Sequence, residues 1–233
     1  MPGRLCIYDD SEFLKDISTI IPNFQNNIGT LHKRYNISPT IAVPIFLNNY
    51  VYTYAHFGLI NSWSKSKTSF NINARSETIF EKSSFRESFK TRRGLIPING
   101  YFEWIKEQIT KESQAYMIKS SRKSYLALPC IWDEWYENST NSYILSTSLI
   151  TMEPNSKIKP IHKRMPVILD KKDWKKWLNT NSTIGELNNL FQIYPDKQID
   201  IQKVSKAVNS VKNDSKECIL EVNKNSDIQF KLF

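Results

Sequence analysis

The chain has 233 residues, of which 40% are hydrophobic and 24% charged, and its formal net charge is +9 at pH 7. This composition is typical of a folded globular protein. Its three cysteines show no CxxC or Cys/His ligand spacing, which argues against a disulfide framework and a bound metal ion. No apolar run approaches the ~20 residues of a membrane helix, and no signal-peptide core is present. We therefore expect a cytoplasmic protein without membrane contact.

The hydrophobic pattern predicts many short strands and few helices. The predicted elements, in chain order, are a helix capped at residues 9–11 and ended by Pro22, strands over 41–46 and 51–59 joined by a turn at 48–49, a helix over 77–90, strands over 94–104, 115–120, 125–132, 143–151 and 165–169, a helix over 170–178 and a last strand from residue 199. Because helices and strands do not alternate, we predict an α+β fold with a curved antiparallel, barrel-like sheet and a few flanking helices.

Basic residues are clustered along the chain. The clusters lie at 65–67, 86–93, 157–164, 171–176 and 203–212. Aromatic and proline residues, including Trp63, Phe89 and Pro160, lie beside several of them. A basic groove with apolar side chains is typical of proteins that bind single-stranded nucleic acid. A solvated lysine-rich surface explains the same clusters, and charge alone favours that interpretation.

Two residues are candidates for proton transfer. His162 lies in a segment where Pro160 and Pro166 restrict the backbone and where Lys163 and Arg164 add positive charge. Glu103 lies in an apolar, strand-like segment, and a buried carboxylate there would suit acid-base chemistry. The alternative is that strand alternation turns Glu103 toward solvent.

A third polar group precedes the predicted helix at residues 77–90. Ser76 could cap that helix, with Glu77 in its first turn. Capping does not explain Asn73 or Arg75.

Together, and in this order, these segments resemble one known family. The motifs are MPGR (1–4), RYNISP (34–39), FGLI (57–60) with Trp63, NARSET (73–78), RRGLIP (92–97), GYFEW (100–104), WD (132–133), IHKRMP (161–166) and VSKAVNSVKN (204–213). They are similar to those of the SRAP family, the SOS response-associated peptidases that shield abasic sites in single-stranded DNA. The resemblance implies one compact domain over residues 1–218, followed by a tail over 219–233.

The resemblance also implies a chemistry. In the family, removal of the initiator methionine exposes a cysteine whose amine attacks the aldehyde of an abasic sugar, and its thiol then closes a stable thiazolidine. No cofactor is implied. The implied partner is single-stranded DNA that contains abasic sites, including junctions with duplex DNA, and we expect a monomer associated with the nucleoid.

Site residues are carried over from the family by motif. Asn73 would position the N-terminal residue, Glu103 would transfer protons at its amine, and His162 would assist opening of the sugar ring. The implied DNA-binding residues are Arg4, Arg75 and Arg164 for phosphates, Thr151 beside them, and Pro39 and Trp63 for the bases. A turn proline and a core tryptophan are the plainer interpretations of the last two.

Position 2 departs from the family pattern, because it is Pro2 and not cysteine. A thiazolidine needs amine and thiol on one residue, and the nearest thiol is that of Cys6. If Met1 is removed, Pro2 has a secondary amine that can form at most a reversible iminium (Schiff base), with lyase-like elimination as one outcome. The alternatives are a non-catalytic module that binds abasic sites, and a peptidase (hydrolase) limited to removing Met1.

Overall fold

A computed structural model describes residues 2–106 and 113–222. In this part of the chain, four α-helices, α1 to α4, span Ser11–Ile20, Arg86–Thr91, Lys171–Leu178 and Ile184–Asn188. The strands described, β1 to β13, span Leu5–Ile7, Gln25–Asn26, Arg34–Ile37, Ala42–Leu47, Val51–Phe57, Asn73–Arg75, Arg93–Ile98, Gly100–Lys106, Ser113–Ser120, Leu126–Glu137, Ser142–Met152, Met165–Pro166 and Ile199–Lys203. Short 3-10 helices span Asp196–Gln198, Lys206–Asn209 and Lys216–Ile219.

Five strands close into a barrel. Pairing runs from β11 through β10, β7 and β4 to β5, and a parallel contact between β5 and β11 closes the ring. The predicted turn at residues 48–49 joins β4 to β5, where Tyr50 N–H donates to Leu47 O at 3.0 Å. The barrel interior is filled by buried aliphatic and aromatic side chains such as Ile45, Leu95 and Leu149. The predicted α+β fold with a barrel-like sheet is thus confirmed.

A second, wholly antiparallel sheet has the strand order β13-β9-β8-β1-β3. The chain passes from the barrel to this sheet at Asn99, which divides the segment predicted as one strand over 94–104 into β7 and β8. The Asn99 side chain accepts from Tyr8 N–H and Asp9 N–H at 2.6 and 3.0 Å, and it donates to Ser124 O at 2.7 Å. The Asn99 amide also donates to Asp9 O at 2.9 Å. A buried amide that satisfies four backbone groups explains a change of direction that hydrophobicity does not reveal.

The helix predicted over residues 77–90 is wrong in its first half. Residues 76–85 form successive turns, and α2 begins only at Arg86. The Asn61 side chain binds Ser84 O at 2.8 Å and holds this segment in its turn conformation. Phe85 and Phe89 are both buried, so the helical spacing of the aromatics is correct only from residue 85 onward.

The helices predicted before Pro22 and over residues 170–178 are present as α1 and α3, and they pack against each other. Phe13 and Ile17 of α1 are buried, and the Phe13 ring lies 5.1 Å from that of Trp174 in α3. Asp16 on α1 accepts hydrogen bonds from Tyr125, Lys171 and Lys123. Burial raises the pKa of Asp16, but the hydrogen bonds from these donors lower it more. The net result is a pKa well below the usual value of an aspartate, so the carboxyl stays ionised even at low pH.

Arg93 is a fully buried cation. Its guanidinium donates to the C-terminal carbonyls of two helices, with Phe89 O at 2.7 Å, Trp177 O at 2.7 Å and Asn179 O at 2.6 Å. Burial lowers the pKa of Arg93 to about 10. The negative ends of the α2 and α3 dipoles stabilise the charge. Arg93, although part of the basic cluster at 86–93, is therefore a structural residue of the core.

Residues 219–222, assigned above to the tail, pair with the end of β13. Ser205 N–H donates to Leu220 O at 3.0 Å, and Val222 N–H donates to Lys203 O at 3.0 Å. The rest of the predicted tail, 223–233, lies outside the described residues, and the domain boundary at 218 stays a prediction. Within the described chain, no helix has the length and apolar character needed to cross a membrane.

Candidate functional site

Asn73 and Pro2 meet at one edge of the barrel. Strand β6 runs parallel to β11 and places Asn73 opposite Leu149 and Arg75 opposite Thr151. The Asn73 amide nitrogen donates to Pro2 O at 3.3 Å, and Pro2 itself is buried. Asn73 Oδ1 is buried and accepts no hydrogen bond from the residues that the structure describes. Asn73 therefore holds the N-terminal segment and keeps one buried acceptor beside it.

Glu103 reaches the same place from the second sheet. Phe102 N–H donates to Arg4 O at 2.9 Å, which sets β8 against the N-terminal segment. The Glu103 side chain is only 7% exposed, so the solvent-facing alternative is wrong. Glu103 Oε1 lies 4.0 Å from Nδ1 of His162, which comes from the segment before β12. A buried carboxylate and a partly exposed imidazole thus lie 4.0 Å apart, and we use the name pocket for the group formed by Pro2, Asn73, Glu103 and His162.

Arg164 fixes the His162 segment to the barrel. Its two Nη atoms donate to the two carboxylate oxygens of Glu77 at 2.6 and 2.8 Å, and Nη2 also donates to Thr151 O at 2.6 Å. The hydrogen bond from Arg164 lowers the pKa of Glu77. Arg164 N–H lies 3.0 Å from Nδ1 of His162 and donates to it. Thr151 is fully buried between β6 and β12 and acts here through its carbonyl oxygen.

These contacts connect the pocket residues in one continuous series. Pro2 contacts Asn73, Asn73 lies on β6 beside β11, β11 is joined to the His162 segment through Arg164, and His162 lies next to Glu103. The return path is the backbone contact between β8 and Arg4. The tertiary structure therefore brings the predicted catalytic residues together, although up to 160 positions separate them in the sequence.

The predicted phosphate ligands differ in what occupies their donors. Arg4 donates to Asn36 Oδ1 at 2.7 Å and to Val208 O at 2.7 Å, and its guanidinium lies 5.5 Å from the centre of the Trp104 ring. Burial lowers the pKa of Arg4. The Arg75 side chain is exposed and makes no hydrogen bond or ion pair with the described residues, although Arg75 O accepts from Thr78 N–H at 3.1 Å. Of these two, Arg75 has the donors available for a phosphate.

Pro39 lies in the turn before β4, next to the end of β5, and Trp63 lies in the loop that follows β5. Pro39 lies in a turn in which Ile41 N–H donates to Ser38 O at 3.4 Å, and Thr40 follows it with a φ of 75°. This geometry agrees with a turn role for Pro39. Trp63 follows β5 in a loop and is 66% exposed, so the core-tryptophan alternative is wrong. Neither side chain makes a hydrogen bond to the pocket residues within the described chain.

Tyr101 lies beside Glu103, and Glu77 binds Arg164 next to the site; the sequence analysis gave neither residue a place at the site. Tyr101 precedes Glu103 by two positions on β8, so both side chains point to one face of the sheet. Its hydroxyl is buried without a hydrogen-bond partner among the described residues, and burial, followed by the charge of Glu103, raises the pKa of Tyr101 well above its usual value. The Tyr-x-Glu alternation could have revealed Tyr101, whereas nothing in the sequence pairs Glu77 with Arg164.

The thiols lie away from this chemistry. Cys6, Cys130 and Cys218 are all buried and free. Burial raises the pKa of the Cys6 thiol far above its usual value, and Cys6 packs in a small apolar cluster with Phe102 and Met117. Within the described residues, no three His, Cys, Asp or Glu side chains are grouped as a metal site requires.

The fold and the pocket define a class: an α+β barrel protein whose N-terminal segment lies beside a buried carboxylate and an imidazole. The family model described as SOS response associated peptidase (SRAP) matches residues 1–211, and the chain belongs to this family. The resemblance drawn from the motifs is thus confirmed.

Named relatives match most of the chain. "Abasic site processing protein YoqW" of Bacillus subtilis is 34% identical over 228 residues, which cover 94% of this chain and 99% of the relative. "Abasic site processing protein HMCES" of Rattus norvegicus is 30% identical over 229 residues, which cover 79% of this chain and 64% of the relative. A crystal structure of a protein from Bacteroides thetaiotaomicron matches with a TM-score of 0.82 at 24% identity, covering 95% of this chain and 100% of that chain. This structural likeness shows the fold alone.

Proposed function

We propose that this protein binds abasic sites in single-stranded DNA and that Pro2, once Met1 is removed, forms a reversible iminium with the abasic aldehyde. The single observation that carries the proposal is the placement of Pro2 against Asn73, in the pocket that contains Glu103 and His162. The names of the relatives supply the substrate, since they are abasic site processing proteins. Met1 lies outside the described residues.

The first covalent step needs only an amine and an aldehyde. The nitrogen of Pro2 attacks C1 of the ring-opened sugar, and the proton of the amine moves to the aldehyde oxygen to give a carbinolamine. The hydroxyl of the carbinolamine then gains a second proton and leaves as water. The product is an iminium, because a secondary amine has no second N–H to lose. Buried Asn73 Oδ1 would accept the remaining N–H of the free amine and orient its lone pair. Cys6 cannot trap the adduct, because its thiol is fully buried.

Glu103 and His162 would move the protons. One of them protonates the departing hydroxyl, and the same group in its basic form can take a proton from C2 of the sugar. The electrons of that C–H bond then form an enamine, and the C3–O bond breaks with the phosphate as leaving group. Water hydrolyses the unsaturated iminium and releases Pro2. The DNA strand is nicked in this branch, and the intact abasic site is restored when the iminium is hydrolysed before elimination.

DNA would be held by the exposed groups around the pocket. Arg75, whose side chain is exposed, would bind a phosphate directly. We propose that Arg4 and Arg164 act mainly by fixing the pocket walls, because their donors bind protein oxygens. The exposed ring of Trp63 can stack on a base, as an aromatic side chain does in single-strand binding sites. With Pro39 as a second apolar side chain for the bases, we expect a preference for single strands and for junctions with duplex DNA in the damage response.

Borohydride trapping tests the covalent step. The protein is incubated with single-stranded DNA that contains one abasic site, with and without borohydride, and its intact mass reports Met1 and any adduct. We expect a covalent complex only with borohydride, and a heat-stable complex without it for Pro2→Cys. DNA with a tetrahydrofuran analogue, which has no aldehyde, is the control and should bind without trapping.

Three outcomes would contradict parts of the proposal. If Met1 is absent and borohydride traps nothing although DNA is bound, the protein is a binding module and Pro2 is not a nucleophile. If Met1 is retained in full, the Pro2 nitrogen is part of a tertiary amide and cannot form the iminium, and the self-limited peptidase activity on Met1 is absent. If the unreduced protein forms a heat-stable adduct, a nucleophile other than Pro2 is responsible.

Variants at Glu103 and His162 separate chemistry from packing. Glu103→Gln and His162→Ala should slow trapping by about 10²–10⁴-fold, the usual contribution of acid-base groups. The melting temperature should stay close to that of the wild type, because His162 is partly exposed and Gln retains the volume of Glu103. A fall in melting temperature with activity proportional to the folded fraction would assign both residues a structural role.

A further inference from the structure

We propose that Glu77 is a positioning residue for His162 and acts through Arg164. The inference rests on the proposed function, because it is His162 as a proton-transfer group that must be oriented. Glu77 touches neither the pocket nor the imidazole in the contacts described. Its influence would pass through the guanidinium and then the backbone of Arg164.

The first half of this connection is a two-point clamp. Both Nη atoms of Arg164 bind Glu77, at 2.6 and 2.8 Å, and this paired geometry fixes the guanidinium plane as well as its distance. Nη2 also donates to Thr151 O at 2.6 Å, which ties the same group to a fully buried strand residue. The Arg164 side chain is only 16% exposed, so the clamp lies largely out of solvent on that side.

The second half joins Arg164 to the imidazole. Nδ1 of His162 lies 3.0 Å from Arg164 N and 3.1 Å from Arg164 O. The N–H can donate to an unprotonated Nδ1, and the carbonyl can accept from a protonated one. One residue therefore offers His162 a partner in both of its protonation states. Either contact holds the ring in the position in which Nδ1 lies 4.0 Å from Glu103 Oε1.

The contribution of Glu77 is to restrain the backbone of Arg164. Arg164 lies two residues after His162 in a segment without regular structure, so no helix or strand hydrogen bonds hold its backbone there. The side-chain clamp performs that task. Without Glu77, the guanidinium keeps only its contact to β11, the Arg164 backbone gains freedom, and the imidazole loses its fixed partner. A misplacement of about 1 Å in a catalytic group can lower a rate by about 100-fold.

The test follows His162 directly by NMR and by rate. The chain contains only three histidines, so the ¹⁵N signals of its imidazoles can be assigned with His162→Gln. The variants are Glu77→Gln, Glu77→Ala, Arg164→Ala and the Glu77→Ala/Arg164→Ala double variant, and Glu81→Gln is the matched control because Glu81 is exposed nearby. Trapping rates are measured on abasic single-stranded DNA, and affinity is measured on the tetrahydrofuran analogue.

We expect Glu77→Ala to move the His162 ring signals and to slow trapping by up to about 100-fold, while affinity changes by less than about twofold. Glu77→Gln should recover part of the rate, because its amide oxygen still accepts one hydrogen bond. The double variant should be as slow as Arg164→Ala alone, since both changes break one connection. Glu81→Gln should match the wild type in every readout.

Unchanged His162 signals in Glu77→Ala, or losses that add in the double variant, would overturn the proposal. If the melting temperature falls in Glu77→Ala but not in Glu77→Gln, the Ala variant has a folding defect. The His162 signals and the trapping rate of Glu77→Gln then test the proposal. If the wild type itself traps no DNA, the proposed function fails, yet the NMR signals still report whether Glu77 orients His162.

Discussion

Arg75 is expected to contribute one phosphate contact, and the salt dependence of binding can count it. Its guanidinium is exposed and forms no hydrogen bond or ion pair with the described residues, so it can bind a phosphate without breaking a contact in the protein. For single-stranded DNA, each neutralised phosphate contributes about 0.7 to the slope of log affinity against log salt. Arg75→Ala should therefore lower the magnitude of that slope by about 0.7.

The same contact sets the size of the affinity loss. A hydrogen bond to a charged group contributes about 1.5–3 kcal/mol, so Arg75→Ala should weaken binding by about 10-fold or more at about 50 mM salt. A fourfold rise in salt to about 200 mM reduces the difference between variant and wild type by about 2.6-fold, which is four raised to the power 0.7. The smaller loss at higher salt is the signature of a phosphate contact, because an uncharged contact would be lost equally at both concentrations.

The assay is fluorescence anisotropy on a labelled single strand with the tetrahydrofuran analogue, over a series of salt concentrations. Arg122→Ala is the control, since Arg122 is an exposed arginine in the turn between β9 and β10. It changes net charge by the same amount and should leave the slope within error of the wild type. Equal slopes for wild type and Arg75→Ala would refute the phosphate contact. Equal effects of both variants would show a response to net charge alone.

Three further predictions concern stability and are measured by thermal unfolding. Arg93→Ala should lower stability by about 3–5 kcal/mol, because buried helix carbonyls lose their donor, and the melting temperature should fall by about 6–20 °C; an unchanged value would contradict the buried-cation interpretation. The Asp16 carboxyl, with its lowered pKa, stabilises the fold above the usual carboxyl range near pH 4 and loses this effect as pH falls through the folded pKa. Asp16→Asn should thus lower the melting temperature at pH 7 and flatten its fall below about pH 4; parallel pH curves would contradict this. Gly94→Ala should destabilise by about 1–3 kcal/mol, since its Cβ would lie 2.8 Å from Phe46 O, while Gly185→Ala, whose Cβ would meet no atom within 4 Å, should not.

The local sequence pattern was sufficient to predict the elements whose structure depends on their own side chains. The spacing of Trp174, Trp177 and Leu178 predicts α3, and all three are buried there. The β4–β5 hairpin likewise follows from two apolar runs and the turn between them. Motif order was enough to identify the family, because that information resides in the sequence itself.

Elements controlled by distant partners were not predictable in this way. Residues 76–85 have aromatic spacing suited to a helix, yet Asn61 and Arg164 bind this segment and hold it in turns. Asn99 divides an apolar run because its amide satisfies backbone groups from two other segments. Propensity is a weak prior where such contacts compete with it.

The candidate site shows the same division. Sequence alone selected Asn73, Glu103 and His162 by motif and identified the departure at Pro2. It could not establish that Glu103 is buried, that Arg4 is held by Asn36 while Arg75 is exposed, or that Glu77 clamps the His162 segment. Those facts depend on strand register and on contacts between residues far apart in the chain, which exist only when the barrel has closed and the second sheet has packed against the N-terminal segment.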